Sequence, residues 1–195
     1  DPDNGDVCAL LTHVYLNEFS LGYNPSQSVL EQAATASQRG IELEPNSDRT
    51  RAAHGRAFFY QGKIQAALSE GERALKINPH HPTRLVQHGY VLALSGNWDE
   101  GLEFYSKALK TMDMLPVQYF YPVFFDHYRN ERYDEALKFL HKYGPPRLWL
   151  THACFASVHG QTQNLADAEA AVKDITVLLP DFGKDALGYV KRCIG

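Results

Sequence analysis

Nine histidines and three cysteines are the residues of this sequence best suited to metal or acid–base chemistry. His152 and His159 stand seven residues apart on one predicted helix, so they share a face two turns apart. With Cys154 or His127 as a further ligand, this pair could hold a metal ion. The alternative, which we favour, is that these histidines pack between helices or lie at the surface. The sequence therefore predicts no metal site.

The serine and aspartate residues offer no catalytic arrangement. Ser157 and His159 are two residues apart on a predicted helix and point to different sides, and Asp126 and His127 are direct neighbours, about 100° apart on a helix. The sequence has no Gly-x-Ser-x-Gly elbow, no Gly-rich phosphate loop, no HExxH and no Cys/His zinc spacing. We therefore expect no enzyme activity and no cofactor.

The composition limits the kinds of partner. The formal net charge is −4 and the pI is near 6.1, whereas nucleic-acid binding usually requires a basic face. We therefore expect no nucleic-acid partner for this domain. No apolar stretch approaches the roughly 20 residues that span a bilayer, and no leader is visible. Cys8 and Cys154 are expected in the core, and three thiols favour a reducing compartment, the cytoplasm, with the periplasm as the alternative.

A period of 34 residues runs through the chain and indicates its architecture. Such a period is typical of stacked helix–turn–helix units, because one unit cannot bury its apolar face alone. Gly55 and Gly89 stand inside predicted helices, where glycine costs about 1 kcal/mol relative to Ala, so they predict close helix contacts. Gly62 and Gly96 end predicted helices, where a positive φ costs glycine little. The same period relates Pro45 to Pro79, Ala74 to Ala108, and His54 to His88.

The period also predicts the domain organisation: one all-α domain over residues 1–195, with about five helix pairs and no strand. The first pair, at 5–43, is wider than the others, and we place its extra residues in a loop at 22–26. This loop is either a functional insertion or a harmless one, since loops lengthen at little cost. The other repeats are predicted at 48–78, 82–111, 117–143 and 148–179, followed by a capping helix at 183–194.

The small residues of this period resemble the motif of the tetratricopeptide repeat (TPR) family, which places a small residue, two alanines and a proline at fixed positions. Counted from Asp48, these positions hold Gly55, Ala67, Ala74 and Pro79. Counted from Pro82, they hold Gly89, Gly101, Ala108 and, in place of the proline, Asp113. The resemblance covers nearly the whole chain and implies a right-handed solenoid of antiparallel helix pairs.

A narrower resemblance is to the C-terminal TPR region of bacterial signalling proteins whose N-terminal parts are adenylate cyclase domains or winged-helix transcriptional activators. It is carried by loop lengths and helix edges in six segments. These are residues 15–19, 22–25, 121–122, 126–129, 149–152 and 179–182. The resemblance implies that this chain is the regulatory part of a longer protein.

In the TPR family the first helix of each pair lines a concave groove that binds a protein or peptide. The groove-facing positions here are rich in aromatic and Arg residues, the types that dominate binding hot spots. Alternatively, each aromatic residue belongs to the core, because its helical spacing is also that of a buried face. Glu70 and Lys107, on outer helices, are expected to play no part in binding. The candidate partner-binding residues are Arg49, Arg56, Phe59, Tyr60, Tyr90, Tyr121, Phe125, Tyr128 and Arg129.

Three functions stay open. The first is a non-catalytic protein-interaction or regulatory module of a bacterial signalling protein, which binds a peptide, a partner protein or its own effector domain. The second is a small-molecule sensor whose pocket is formed by aromatic residues of 121–128 and the 22–26 loop. The third is a scaffold for homo-oligomers, in which the N-terminal end of the helix stack packs on another copy.

Overall fold

The computed structural model describes residues 3–116 and 119–194. These residues form eleven α-helices and contain no strand, which confirms the all-α prediction. The helices are α1 (Gly5–Ser20), α2 (Gln27–Leu43), α3 (Asp48–Tyr60), α4 (Ile64–Ile77), α5 (Pro82–Leu94), α6 (Trp98–Ala108), α7 (Tyr121–Arg129), α8 (Tyr133–Tyr143), α9 (Trp149–Gln161), α10 (Leu165–Leu178) and α11 (Ala186–Ile194).

The chain divides into two compact units. Unit 1 contains the residues up to Asp113 together with those from Arg192 onward, and unit 2 contains Met114–Lys191. In unit 1, α1 pairs with α2, α3 with α4, and α5 with α6, while α1 also contacts α3 and α3 contacts α5. In unit 2, α7 pairs with α8 and α9 with α10. Whether the two units form one domain, as the period predicts, stays a prediction.

Local signals set the helix starts. The Asn4 side chain accepts a hydrogen bond from the Val7 backbone N–H, and the Ser47 hydroxyl accepts one from that of Arg49, so two orphan donors are satisfied at the starts of α1 and α3. Pro82 and Pro122 stand in the first turns of α5 and α7, where a missing N–H costs nothing.

The glycines act as the period predicts. Gly62 and Gly96 have φ angles of 71° and 100° and follow the ends of α3 and α5. A Cβ atom added at Gly55 would lie 3.0 Å from the Ala67 carbonyl oxygen, and one at Gly89 would lie 2.6 Å from that of Gly101. The close contacts predicted inside the helix pairs are therefore confirmed.

Two helices differ in extent from the prediction. The first helix of the fourth repeat was expected from 117, but α7 begins at Tyr121, and residues 117–118 lie outside the described part of the chain. The capping segment is interrupted: a short 3₁₀ helix at Phe182–Lys184 precedes α11. The Asp185 carboxylate between them accepts a hydrogen bond from the Gly188 N–H at 3.0 Å and so caps the start of α11.

Candidate functional site

A polar cluster lies where α1, α3 and α5 pack side by side in unit 1. Arg56 of α3 is only 3% exposed, and its guanidinium donates to the Asn17 side-chain oxygen at 2.7 Å. A second nitrogen of the guanidinium lies 3.3 Å from His13 Nδ1, and its carbon lies 5.6 Å from the ring centroid of Tyr60. Arg56 therefore ties α1 to α3 from a buried position on the predicted binding face.

A second arginine extends the cluster onto α5. Arg84 is 6% exposed, and its Nε donates to the Asp48 carboxylate at 2.8 Å. Its terminal nitrogen donates to Gln87 Oε1 at 2.5 Å, which leaves the Gln87 amide nitrogen 3.5 Å from His13 Nε2. Because the Gln87 side-chain oxygen must face the Arg84 donor, the amide nitrogen is the atom that faces His13.

His13 is a neutral acceptor inside this cluster. Burial, together with the guanidinium groups of Arg56 and Arg84, lowers the pKa of His13 to about 3. The imidazole therefore carries no charge near neutral pH, and its Nδ1 accepts from Arg56. The cluster thus contains the two permanent positive charges of Arg56 and Arg84, and the Asp48 carboxylate pairs with Arg84.

An aromatic group adjoins the cluster. Phe59 and Tyr90 are buried, at 4% and 1% exposure, with ring centroids 5.5 Å apart. Tyr60 is half-buried and stands edge-on to Phe59 at 5.3 Å. The hydroxyl oxygens of Tyr60 and Tyr90 lie 3.4 Å apart. We call Phe59, Tyr60 and Tyr90 the aromatic face of unit 1; among its members, Tyr60 is the one with exposed area.

Residues near the C-terminus cover part of this aromatic face. The Tyr90 hydroxyl donates to the Cys193 carbonyl oxygen at 2.9 Å, and the Cys193 thiol donates to the Ser20 carbonyl oxygen at 3.0 Å. Cys193 is fully buried, and burial raises its thiol pKa to about 12. Sequence reasoning assigned no role to Cys193, because no motif or spacing links it to Tyr90 or Ser20.

A second aromatic group lies on α7 in unit 2. Tyr121 and Phe124 are buried at 1% exposure, whereas Phe125 and Tyr128 are half-buried. The rings of Phe124 and Tyr128 stack at 5.8 Å. The exposed Arg129 donates two hydrogen bonds to the Asp126 carboxylate, at 2.7 and 3.1 Å, and Arg132 bonds the other oxygen of the same group.

The predicted binding residues thus fall into three classes of exposure. The buried ones are Arg56, Phe59, Tyr90 and Tyr121. The half-buried ones are Tyr60, Phe125 and Tyr128, and the exposed ones are Arg49 and Arg129. Arg49 pairs with the Asp6 carboxylate at 2.8 Å. Direct contact with a partner is therefore open to the second and third sets, and their role in binding stays a prediction.

Glu70, which the sequence analysis expected to play no part in binding, has a structural role. It is 6% exposed, and its carboxylate accepts from Arg51 at 2.9 Å and from Arg73 at 2.7 Å. Its replacement would therefore also disturb the packing, so Glu70 is not a suitable control, and the expectation that it plays no part in binding stays a prediction. Lys107 is exposed, with its ammonium 5.0 Å from the ring centroid of Phe104, and remains a suitable control.

The histidines considered as metal ligands have other contacts. His152 Nε2 lies 2.9 Å from the Pro146 carbonyl oxygen, and its Nδ1 lies 3.4 Å from an Asp174 carboxylate oxygen. The His159 ring stacks on Phe155 at 6.2 Å. Within residues 3–116 and 119–194, no group of three or more His, Cys, Asp or Glu side chains could hold a metal ion.

The fold is shared with solved TPR structures. A tetratricopeptide repeat protein from Parabacteroides merdae matches with a TM-score of 0.58 at 17% identity, over 96% of this chain and 74% of that one. The MamA protein matches with a TM-score of 0.53 at 13% identity, over 91% of this chain and 94% of its own. The fold is thus an all-α, TPR-like solenoid.

No protein-family model and no curated protein matches the sequence. In the described part of the chain, no helix is both long and apolar enough to cross a bilayer.

Proposed function

We propose that this chain is a non-catalytic protein-interaction module that regulates a bacterial signalling protein. Its ligand is a peptide, a partner protein or the effector domain of its own parent chain. The observation that carries the proposal is the α1–α3–α5 surface, where the half-buried Tyr60 stands beside the guanidinium of Arg56. In the family that the sequence resembles, the first helices line the partner-binding groove, and α1, α3 and α5 are first helices here.

The chemistry of this surface favours a ligand with both apolar and acidic groups. Tyr60 supplies apolar area with few rotatable bonds and a polar hydroxyl. Arg56 and Arg84 contribute two guanidinium groups to the cluster, and a guanidinium can bind a carboxylate through two parallel hydrogen bonds. Arg49, exposed on the same helix as Arg56, can exchange its contact with Asp6 for a ligand carboxylate, because exposed ion pairs contribute little.

A peptide library displayed on phage tests the proposal. We expect the parent chain to enrich peptides that share a motif, and Tyr60→Ala to weaken the enriched peptides at least tenfold, since loss of a true anchor typically costs about 2 kcal/mol or more. Phe125→Ala makes the same test in unit 2. Lys107→Ala is the control and should bind as the parent does. Enrichment of no motif, or equal binding by all variants, would reject the interaction module.

A homo-oligomer scaffold is the second candidate, and an apolar surface on α1 favours it. Val7, Leu10, Leu11 and Val14 are 41–65% exposed, and a pocket of about 560 Å³ lies between α1 and α2, where Leu11 and Tyr15 line it. Exposed apolar area of this kind is typical of contact surfaces. Light scattering on the parent and on Leu11→Asp decides the matter: a scaffold gives a dimer or larger species that the substitution dissociates, whereas a parent monomer rejects it.

A further inference from the structure

His13 and Gln87 meet as two hydrogen-bond donors in the polar cluster of unit 1. Gln87 Oε1 accepts from the Arg84 guanidinium at 2.5 Å, so the Gln87 amide nitrogen faces His13 Nε2, at 3.5 Å. His13 Nδ1 lies 3.3 Å from a guanidinium nitrogen of Arg56, from which it accepts. A neutral imidazole has one acceptor nitrogen and one N–H, so His13 Nε2 carries the proton. The imidazole N–H and the amide N–H therefore point at each other.

No rearrangement of these side chains removes the conflict. Reversing the Gln87 amide would place its nitrogen 2.5 Å from an Arg84 nitrogen, where two donors would meet instead. Moving the His13 proton to Nδ1 would set it against the Arg56 guanidinium. Protonating the ring would give both of its nitrogens an N–H, and burial with the charges of Arg56 and Arg84 opposes this by lowering the His13 pKa. Each arrangement leaves two donors facing each other.

A bound oxygen atom would satisfy both donors. Gln87 is buried, at 8% exposure, and a buried donor that faces another donor is unfavourable. Two nitrogens 3.5 Å apart can both donate to one oxygen that lies about 2.9 Å from each of them. Other acceptors of the cluster are engaged elsewhere: the Asn17 side-chain oxygen accepts from Arg56, and the Asp48 carboxylate accepts from Arg84.

An oxyanion suits this position better than water does. The oxygens of an ionised oxyanion accept hydrogen bonds and donate none, whereas a water molecule brings two O–H donors that need acceptors of their own. The guanidinium groups of Arg56 and Arg84 are permanently charged, and both attract a negative charge placed beside His13. His13 is half-buried, so the cluster meets the solvent at this residue.

We propose that the polar cluster binds one oxyanion, a phosphate or carboxylate group, through the N–H groups of His13 and Gln87, with the Arg56 guanidinium beside them. The proposal deepens the proposed function and rests on it in one respect. Where the oxyanion belongs to the bound ligand, the site fixes the ligand's acidic group near Tyr60, whose ring lies against Arg56. A free anion from solution occupies the same position and competes with that ligand.

The substitution Gln87→Glu tests the site by supplying the acceptor from within the chain. One carboxylate oxygen keeps the bond from Arg84 and the other faces the His13 N–H, so the conflict disappears. We expect the thermal midpoint of unfolding to rise by about 2–4 °C. Gln38→Glu is the matched control, because that exposed amide donates to Glu42, and it should give no rise. A midpoint for Gln87→Glu at or below the parent's would overturn the proposal.

Inorganic phosphate measures the binding directly and needs no stabilised variant. We titrate it into the full-length chain against sodium chloride of equal ionic strength, and expect a saturable shift of the His13 imidazole nitrogen signals in NMR spectra. Gln87→Leu should bind phosphate at least tenfold more weakly, and Gln38→Leu, the matched control, should bind as the parent does. Sodium acetate is the second probe and separates a carboxylate from a phosphate preference.

Two outcomes of the titrations would overturn the proposal. One is that neither phosphate nor acetate saturates the parent chain, which would mean that water alone serves the two donors. The other is equal binding by Gln87→Leu and Gln38→Leu, which would place the anion elsewhere.

Competition identifies the source of the oxyanion. If phosphate weakens the peptides enriched from the phage library at least tenfold, the site holds the ligand's acidic group; if these peptides bind unchanged, the site takes a free anion. If phosphate binds as expected while the library yields no motif, the proposed function fails and the anion site stands.

Discussion

His54 Nδ1 lies 3.1 Å from the Ser37 hydroxyl oxygen, and one period later the same two positions hold His88 and Gly71. The Ser37 hydroxyl donates to the Ala34 carbonyl at 2.9 Å, so it accepts from His54, whose Nδ1 must carry the proton. His88 Nδ1 is buried with no hydrogen-bond partner among the described residues, and its ring fills the space over Gly71. Equivalent histidines thus hold α2 to α3 and α4 to α5 by different means.

Removal of the Ser37 hydroxyl should destabilise the chain through His54. Ser37→Ala leaves the partly buried Nδ1–H of His54 without its acceptor, and we expect a loss of about 1 kcal/mol in the free energy of unfolding, measured with urea. Thr35→Ala is the control, because that exposed hydroxyl donates only within α2, to the Glu31 carbonyl. An equal, small effect of both substitutions would show that the contact with His54 contributes nothing.

Opposite outcomes are expected for alanine at two helical glycines. At Gly89 a Cβ would lie 2.6 Å from the Gly101 carbonyl oxygen, so Gly89→Ala must separate α5 from α6, and we expect a cost of about 1–3 kcal/mol. At Gly160, in α9, a Cβ would meet no atom within 4 Å, so Gly160→Ala should stabilise by up to about 1 kcal/mol. Thermal and urea unfolding measure both, and a matching sign for the two variants would contradict the close-contact interpretation.

The ion cluster at Glu70 should be structural. Glu70→Ala leaves the partly buried Arg51 without its carboxylate, and we expect a loss of about 1–3 kcal/mol in the free energy of unfolding. Lys107→Ala, on the exposed face of α6, should change stability by less than about 0.5 kcal/mol. Urea titrations of both variants compare them directly. A Glu70→Ala chain as stable as Lys107→Ala would mean that solvent replaces the carboxylate without cost.

The period predicts the fold because it encodes contacts between neighbours in sequence. Gly55, Gly89, Gly62 and Gly96 have the roles that their spacing indicates, since each acts within one helix pair or at its turn. Depth of burial is not encoded in this way. Arg56 lies at a groove-facing position of the motif and yet is 3% exposed, because the partners that enclose it come from α1.

The candidate site depends on contacts that no periodic pattern contains. Tyr90 and Cys193 are 103 residues apart, and Ser20 and Cys193 are 173 apart. Such pairs are contacts between residues far apart in the sequence, which a repeat of 34 residues does not encode. The residue type of Cys193 did not indicate these contacts either, because a buried thiol that donates to a backbone carbonyl requires no sequence motif.

Stability should fall in acid through His13. The folded pKa of about 3 lies below the value of about 6.5 for an unfolded histidine. Between these values the unfolded chain binds a proton that the folded chain excludes, so the free energy of unfolding decreases as the pH falls from about 6.5 to about 3. Burial also lowers the pKa of His54 and His88, and both contribute in the same direction.

His13→Gln should reduce the slope of the unfolding free energy against pH by up to one proton, about 1.4 kcal/mol per pH unit, in urea titrations across this range. Thr35→Ala, which changes no ionisable group, should keep the parent's slope. If His13→Gln also keeps the parent's slope, His13 is protonated alike in the unfolded and folded chains. The Arg56–Arg84 cluster then does not keep the His13 imidazole neutral.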